Sequence, residues 1–337
     1  MNDLERFLHD RNCKGLDSIA KDIEDELDIF LRLFILLCAD DTVLFFDSAE
    51  DLQVQLNNFS EYCDTWRLKV NISKTDIVAF TRARLHHFKF SYKGSNLEIV
   101  LKVYIYLGIF FSSTDSYLNT KKEIVGKATK IMYEVLKKSR VHNISIKCQY
   151  DQFDKMVKLI LLYGCELWGF GNNDIIERAY PMSIYIKLRM LIYWSNLING
   201  KDSKLSLILY KYVYIKNVHG QYQSSWFDNV KGMLDNCGFS NIWESQENFN
   251  FNSTCTWLNT AIKQRLFDQF QQEWRSNMEN SSKGLCYKLF KVNFEFEPYL
   301  DILTYKNRIT FCKFRTGNHR LPIETGQWNG IDHGNRL

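Results

Sequence analysis

The chain has 337 residues, 45% of them hydrophobic, with a net charge of +4 and a pI near 8.4. That composition excludes a disordered chain and is enough for two or more packed units. The mild basicity permits a nucleic-acid partner without arguing for one.

Nine cysteines lie scattered without CxxC spacing, which suits free thiols in a reducing, intracellular compartment. Cys312 and His319 are an isolated pair and do not support a zinc site. The N-terminus is charged (Asp3, Glu5, Arg6) and lacks an apolar signal core. No apolar run is long enough to span a bilayer. The expectation is therefore cytoplasm or nucleus, with no membrane partner.

In chain order, residues 2–9 read as a short helix with Leu4, Phe7 and Leu8 on one side. Residues 13–28 are polar and acidic, a loop. Leu33–Leu37 and Val43–Phe46 have the length and β-leaning composition of buried strands around a tight turn. That arrangement places Asp40 and Asp41 at a hairpin tip. Carboxylates on a rigid turn suit Mg²⁺ or Mn²⁺, and they equally suit a solvated turn. Asp47 or Ser48 then caps a helix whose stripe is Leu52, Leu56, Phe59, Cys63 and Trp66. This helix is expected to pack on the sheet carrying Asp40 and Asp41.

Short β-like pieces come next at 68–70, 76–80, 88–92, 97–100 and 103–111, with Lys74 in a polar turn between the first two. Gly108 inside the last piece marks a bulge or a close backbone approach. A long helix over 117–138 has Ile124, Ala128, Ile131 and Val135 inside. Lys121, Lys122, Lys127, Lys130, Lys137, Lys138 and Arg140 crowd its outer surfaces and end. They read as a solvated face or as a phosphate-tracking surface. A second helix is expected over 145–163, ending near Gly164. Residues 173–275 alternate helical patterns with loops, and their tryptophans read as core. The tail 299–328 interleaves Lys306, Arg308, Lys313, Arg315 and Arg320 with aromatics. It suits single-stranded nucleic acid, or a plain helix and then a loop at Leu321-Pro322.

The order of these pieces is specific. An apolar strand, Ala39-Asp40-Asp41, a second strand, a capped helix ending in Trp66, then Leu68-Lys69-Val70-Asn71 and Lys74-Thr75, resembles the palm of reverse transcriptases. It looks most like the palm of non-LTR (LINE-type) retrotransposons. Residues 33–111 carry the resemblance. Residues 117–170, including Leu162-Tyr-Gly-Cys-Glu-Leu-Trp168, resemble the region after the palm in such elements. Arg315–Glu324 matches more weakly a segment near their C-terminal end.

The resemblance implies an α+β palm remnant (hairpin, helix and short antiparallel strands) followed by a mostly α-helical thumb-like and C-terminal region. The implied divisions are 1–113, 114–170 and 171–337. It implies RNA-directed DNA synthesis on an RNA template and a DNA primer, with no small-molecule cofactor. Asp40 and Asp41 would bind Mg²⁺ or Mn²⁺, Lys74 would neutralise or protonate the leaving group, and Tyr106, Leu107 and Gly108 would grip the primer. Lys121, Lys122, Lys127, Lys130, Lys137, Lys138 and Arg315 are the candidate nucleic-acid contacts. Lys74 also reads as an ordinary surface lysine of a turn.

The pattern is departed from in three places. The resemblance implies an earlier strand with a further metal-binding aspartate and a glycine–glutamine segment, neither of which is matched here. Cys38 stands where an aromatic is expected. A Cys/His-rich segment and an endonuclease domain are not matched either. The expectation is a fragment lacking the fingers and nucleotide pocket, with negligible polymerisation alone.

Overall fold

The computed structural model describes residues 3–14, 35–38, 41–46, 48–79, 88–100, 103–112, 117–171, 173–179, 182–200, 204–218, 224–246, 251–281, 285–316, 318, 320–321, 325–326 and 329–335. Two compact units emerge: Met1–Thr120 with Gly200–Ser224, and Lys121–Asn199 with Ser225–Leu337. The architecture is mixed α+β, with helix predominating.

The first unit is built around α2 (Ala49–Thr65), preceded by α1 (Leu4–Asp10) and the antiparallel pair β1 (Ile35–Cys38) and β2 (Asp41–Leu44). Ser48 caps α2 by accepting from the Asp51 N–H at 3.1 Å. The inner face of α2 is Leu52, Gln55, Leu56, Phe59, Tyr62 and Cys63. It packs mainly on α1 and on the hairpin β4 (Phe90–Tyr92) to β5 (Ser95–Leu97). Leu44 and Phe46 reach the same core from the end of β2.

Polar side chains secure this packing. Buried Gln55 donates to the carbonyls of Lys14 (2.7 Å) and Phe45 (2.9 Å), tying the exits of α1 and β2 to the helix. Gln53 donates to Ser91 O (2.9 Å) and accepts from Ser91 N–H (3.0 Å), acting on β4 as a neighbouring strand would. Tyr62 donates to Asp3 at 2.6 Å.

Trp66, expected on the α2 stripe, lies past its end and is exposed. The expected strand at 68–70 is instead the helix stop. Arg67 is left-handed (φ 55°), Leu68 N–H donates to Cys63 O, and Arg67 N–H donates to Asp64 O, the paired bonds of a Schellman cap.

β3 (Ile77–Val78) pairs with β6 (Ile99–Val100) in parallel, where antiparallel strands were expected. The segment 103–111 is two strands, β7 (Val103–Tyr106) and β8 (Ile109–Ser112), not one. Leu107 (φ 48°) and Gly108 (φ 77°) form a two-residue turn whose left-handed centre matches strand twist, so Gly108 marks a hairpin rather than a bulge. Lys93 (φ 49°) and Gly94 (φ 79°) do the same between β4 and β5.

In the second unit, α3 (Leu118–Val141) buries Ile124, Ala128 and Val135 as its spacing predicts. Its first three residues belong to the first unit, where Thr120 Oγ1 accepts from Phe110 N–H at 2.9 Å. The helix expected over 145–163 is α4 (Ile146–Gln152), a π turn (Phe153–Val157) and α5 (Lys158–Leu161), closed by left-handed Gly164. Beyond it lie α6 (Cys165–Trp168), α7 (Asp174–Ala179) and α8 (Ser183–Ile198). Helix α6 packs on α8. A Cβ on Gly169 would meet Cys165 O at 2.5 Å and Ile186 Cγ2 at 2.6 Å, so only glycine permits this approach.

α9 (Leu205–Val218) belongs to the first unit. The second continues with α10 (Ser225–Asn236), α11 (Ser240–Glu244), α12 (Phe251–Asn280), α13 (Leu285–Phe290), α14 (Tyr299–Ile302) and α15 (Tyr305–Arg315). Trp194 and Trp243 stack in its core at 5.9 Å, whereas Trp257 is exposed. Among the described residues, no helix is long and apolar enough to cross a membrane.

Candidate nucleic-acid interface

Asp40 lies outside the described residues. Cys38 pairs directly with Asp41, so Asp41 opens β2. The Asp41 side chain is exposed. Lys74 is also exposed, ending a 3₁₀ turn (Ile72–Lys74) whose Lys74 N–H donates to Asn71 O at 3.0 Å.

Two residues that the sequence did not single out accompany Asp41. Burial first, and then the charges of Asp76 and Asp41, push the Tyr104 phenol above its usual range. Both carboxylates therefore act electrostatically on one β7 side chain. Asp76 comes directly after Lys74-Thr75 in the chain, but nothing in the spacing of 41, 76 and 104 announces this influence. Leu107 and Gly108 are exposed at the β7–β8 turn, and Tyr106 pairs with Ile109 beneath it.

The resemblance implies a pair of divalent cations. Among the described residues, no three His, Cys, Asp or Glu side chains gather to hold a metal. Asp41 and Asp76 alone are too few carboxylates for two cations. The described donors therefore do not fit that group.

The basic residues separate into two kinds. Lys122, Lys127, Lys130, Lys137, Lys138 and Arg140 are exposed on α3, and Lys127 pairs with Glu123 at 3.4 Å. At 100° per residue, Lys122, Lys130, Tyr133, Lys137 and Arg140 fall within an arc of about 80°, running some ~27 Å along the axis. Tyr133, unnoticed in the sequence, is 69% exposed among these cations. It stands three residues after Lys130 and four before Lys137, a signal the spacing did contain. Such an arc can neutralise a row of phosphates while offering one ring for stacking.

Lys121 and Arg315 are corrected. Lys121 is only 5% exposed, with its ammonium 5.6 Å from the Trp168 ring centroid, and desolvation lowers its pKa. It points opposite the arc, on the inner face with Ala128. Arg315 is 3% exposed and donates to Glu297 at 2.6 Å. Its guanidinium lies 5.1–5.8 Å from the ring centroids of Tyr287, Phe290, Tyr299 and Phe311. A planar, weakly hydrated cation with a carboxylate partner is suited to such a site. Neither residue is placed to meet a phosphate.

No protein-family model matches the chain, and no curated protein or solved structure matches it either.

Proposed function

We propose that the chain derives from the reverse transcriptase of a non-LTR (LINE-type) retrotransposon, with RNA-directed DNA synthesis as its parent activity, and that it holds nucleic acid on the α3 arc. The observation that carries this reading is the exposed row of Lys122, Lys130, Lys137 and Arg140 on α3 with Tyr133 among them. A polymerase needs its acidic hairpin beside the segment that holds the primer end, and the influence of Asp41 on Tyr104 is in keeping with that need. The exposed α3 cations supply a surface for phosphates.

Polymerisation itself demands positioned charge around the reacting phosphate. We place the chain alone among binding proteins rather than polymerases, on the resemblance's unmatched upstream metal aspartate. Lys74, on its exposed turn, is the candidate to meet a leaving pyrophosphate if further residues complete the site.

The test is filter binding of an annealed RNA template and DNA primer against salt, with primer extension in Mg²⁺ and in Mn²⁺ alongside. Log affinity should fall linearly with log salt, and Lys122→Gln, Lys130→Gln and Lys137→Gln should each reduce the slope by about 1. No binding at about 50 mM salt would overturn the binding part. Extension should stay at background. Extension that disappears in Asp40→Ala or Asp41→Ala would instead make the chain a working polymerase.

A further inference from the structure

The Arg315 cage ends at a surface. One of its rings, Phe290, is 50% exposed. Phe314, not one of the four rings around Arg315, lies 6.2 Å from Phe290 by centroid and is also solvent-facing. The two come from different helices, α13 and α15, which pack together. Phe290 is held from its inner side by the guanidinium at 5.8 Å, and that cation is fixed by Glu297. The outer faces of these rings are left to solvent, and the Phe290 ring is held from beneath by Arg315.

The charges around the pair are one-sided. The sequences of α13 and α15 contain Lys288, Lys306, Arg308, Lys313 and Arg315 and no acidic residue. Arg315 is engaged by Glu297, and Arg308 donates to Leu303 O at 3.1 Å. Lys288, Lys306 and Lys313 remain exposed, with Lys288 two residues from Phe290 and Lys313 beside Phe314. An apolar protein partner would use the rings without needing the lysines, and a membrane would need a broad amphipathic face rather than a pair of rings. A single strand uses both, since every base has a face to stack and every linkage a charge to neutralise.

We infer that Phe290 and Phe314 form a stacking platform for unpaired bases, with Lys306 and Lys313, seven residues apart on one side of α15, holding the flanking phosphates. It takes single-stranded RNA or DNA with little sequence preference. The inference rests on the reading that the chain binds nucleic acid, and it adds a site that reads bases rather than phosphates alone.

The experiment compares a single-stranded homopolymer with an abasic oligomer of equal length, by fluorescence anisotropy on the full chain. The base-bearing strand should bind at least about tenfold more tightly, the scale of one stacked base. Phe314→Ala, which leaves the Arg315 cage rings intact, should erase most of that difference, and Phe314→Trp should restore it. Phe290→Ala should act in the same direction, and neither change should alter the salt slope set by α3. Equal affinity for the two strands, or a preference untouched by both alanine variants, would overturn the platform while leaving the α3 reading in place. Loss of self-association in Phe290→Ala without nucleic acid would overturn it in favour of a contact between copies. No binding of either strand would overturn both readings.

Discussion

Helices α3 and α15 look alike as sequence, each mixing cations with aromatics, yet the arginine at the end of each has an opposite fate: Arg140 is exposed and Arg315 is buried. On α3, Lys122, Lys130, Lys137 and Arg140 stand in water with Tyr133 among them. On α15, Arg315 turns inward and becomes the centre of a cluster of rings, balanced by Glu297. Lys121 shows the same inward turn at the start of α3, over Trp168. A count of cations therefore does not measure a binding surface. A cation goes inside when a carboxylate or ring face waits for it, and otherwise stays hydrated.

Stability measurements can break this contrast. Arg315→Ala removes the cation and leaves Glu297 with only Lys291 nearby, at 3.8 Å. A loss of about 3–5 kcal/mol in urea unfolding is expected, as for other broken buried pairs. Lys130→Ala, on the exposed arc, should stay within about 0.5 kcal/mol. Equal costs would show that the two helices do not differ as described.

A smaller effect sharpens the comparison by adding a cation that serves neither purpose. Arg67 holds a left-handed backbone at the end of α2. Arg67→Gly should stabilise the chain by about 1 kcal/mol, because glycine adopts that conformation without steric cost. A lower melting temperature would mean that the Arg67 side chain contributes more than its backbone strain costs.

The smallest expected effect is at Lys121. Burial lowers its pKa in the folded chain, so folding disfavours the charged form. Lys121→Met should therefore leave neutral-pH stability unchanged or raised. The sign is fixed by linkage: any gain is full below the folded pKa and vanishes as pH rises past the unfolded value, about 10.4. A gain that grew with pH would contradict the burial of this side chain.

Local features were legible because their causes are local. Ser48 caps α2 because its side chain meets an N–H three residues on, and the inner face of α3 comes from helical spacing. Gly164 ends its helix as read. The turn at Leu107-Gly108 was misread because a glycine within a β pattern serves a bulge and a two-residue hairpin alike. Only the pairing of Tyr106 with Ile109 decides between them. Of the candidate site, Asp41 and the exposed α3 lysines could be named from sequence, while Asp76, Tyr104 and Tyr133 could not be assembled into it.

The amino-acid sequence by itself determined roughly where α1, α2 and α3 run and which stripe of each is apolar, since those depend on neighbours a turn or two away. Tertiary structure alone decided which cations meet water and which acids act on Tyr104. Arg315 is settled by Glu297 eighteen residues earlier, and Lys121 by Trp168 forty-seven residues later. Burial and pairing are properties of what packs against a side chain, and spacing along the chain carries no record of that.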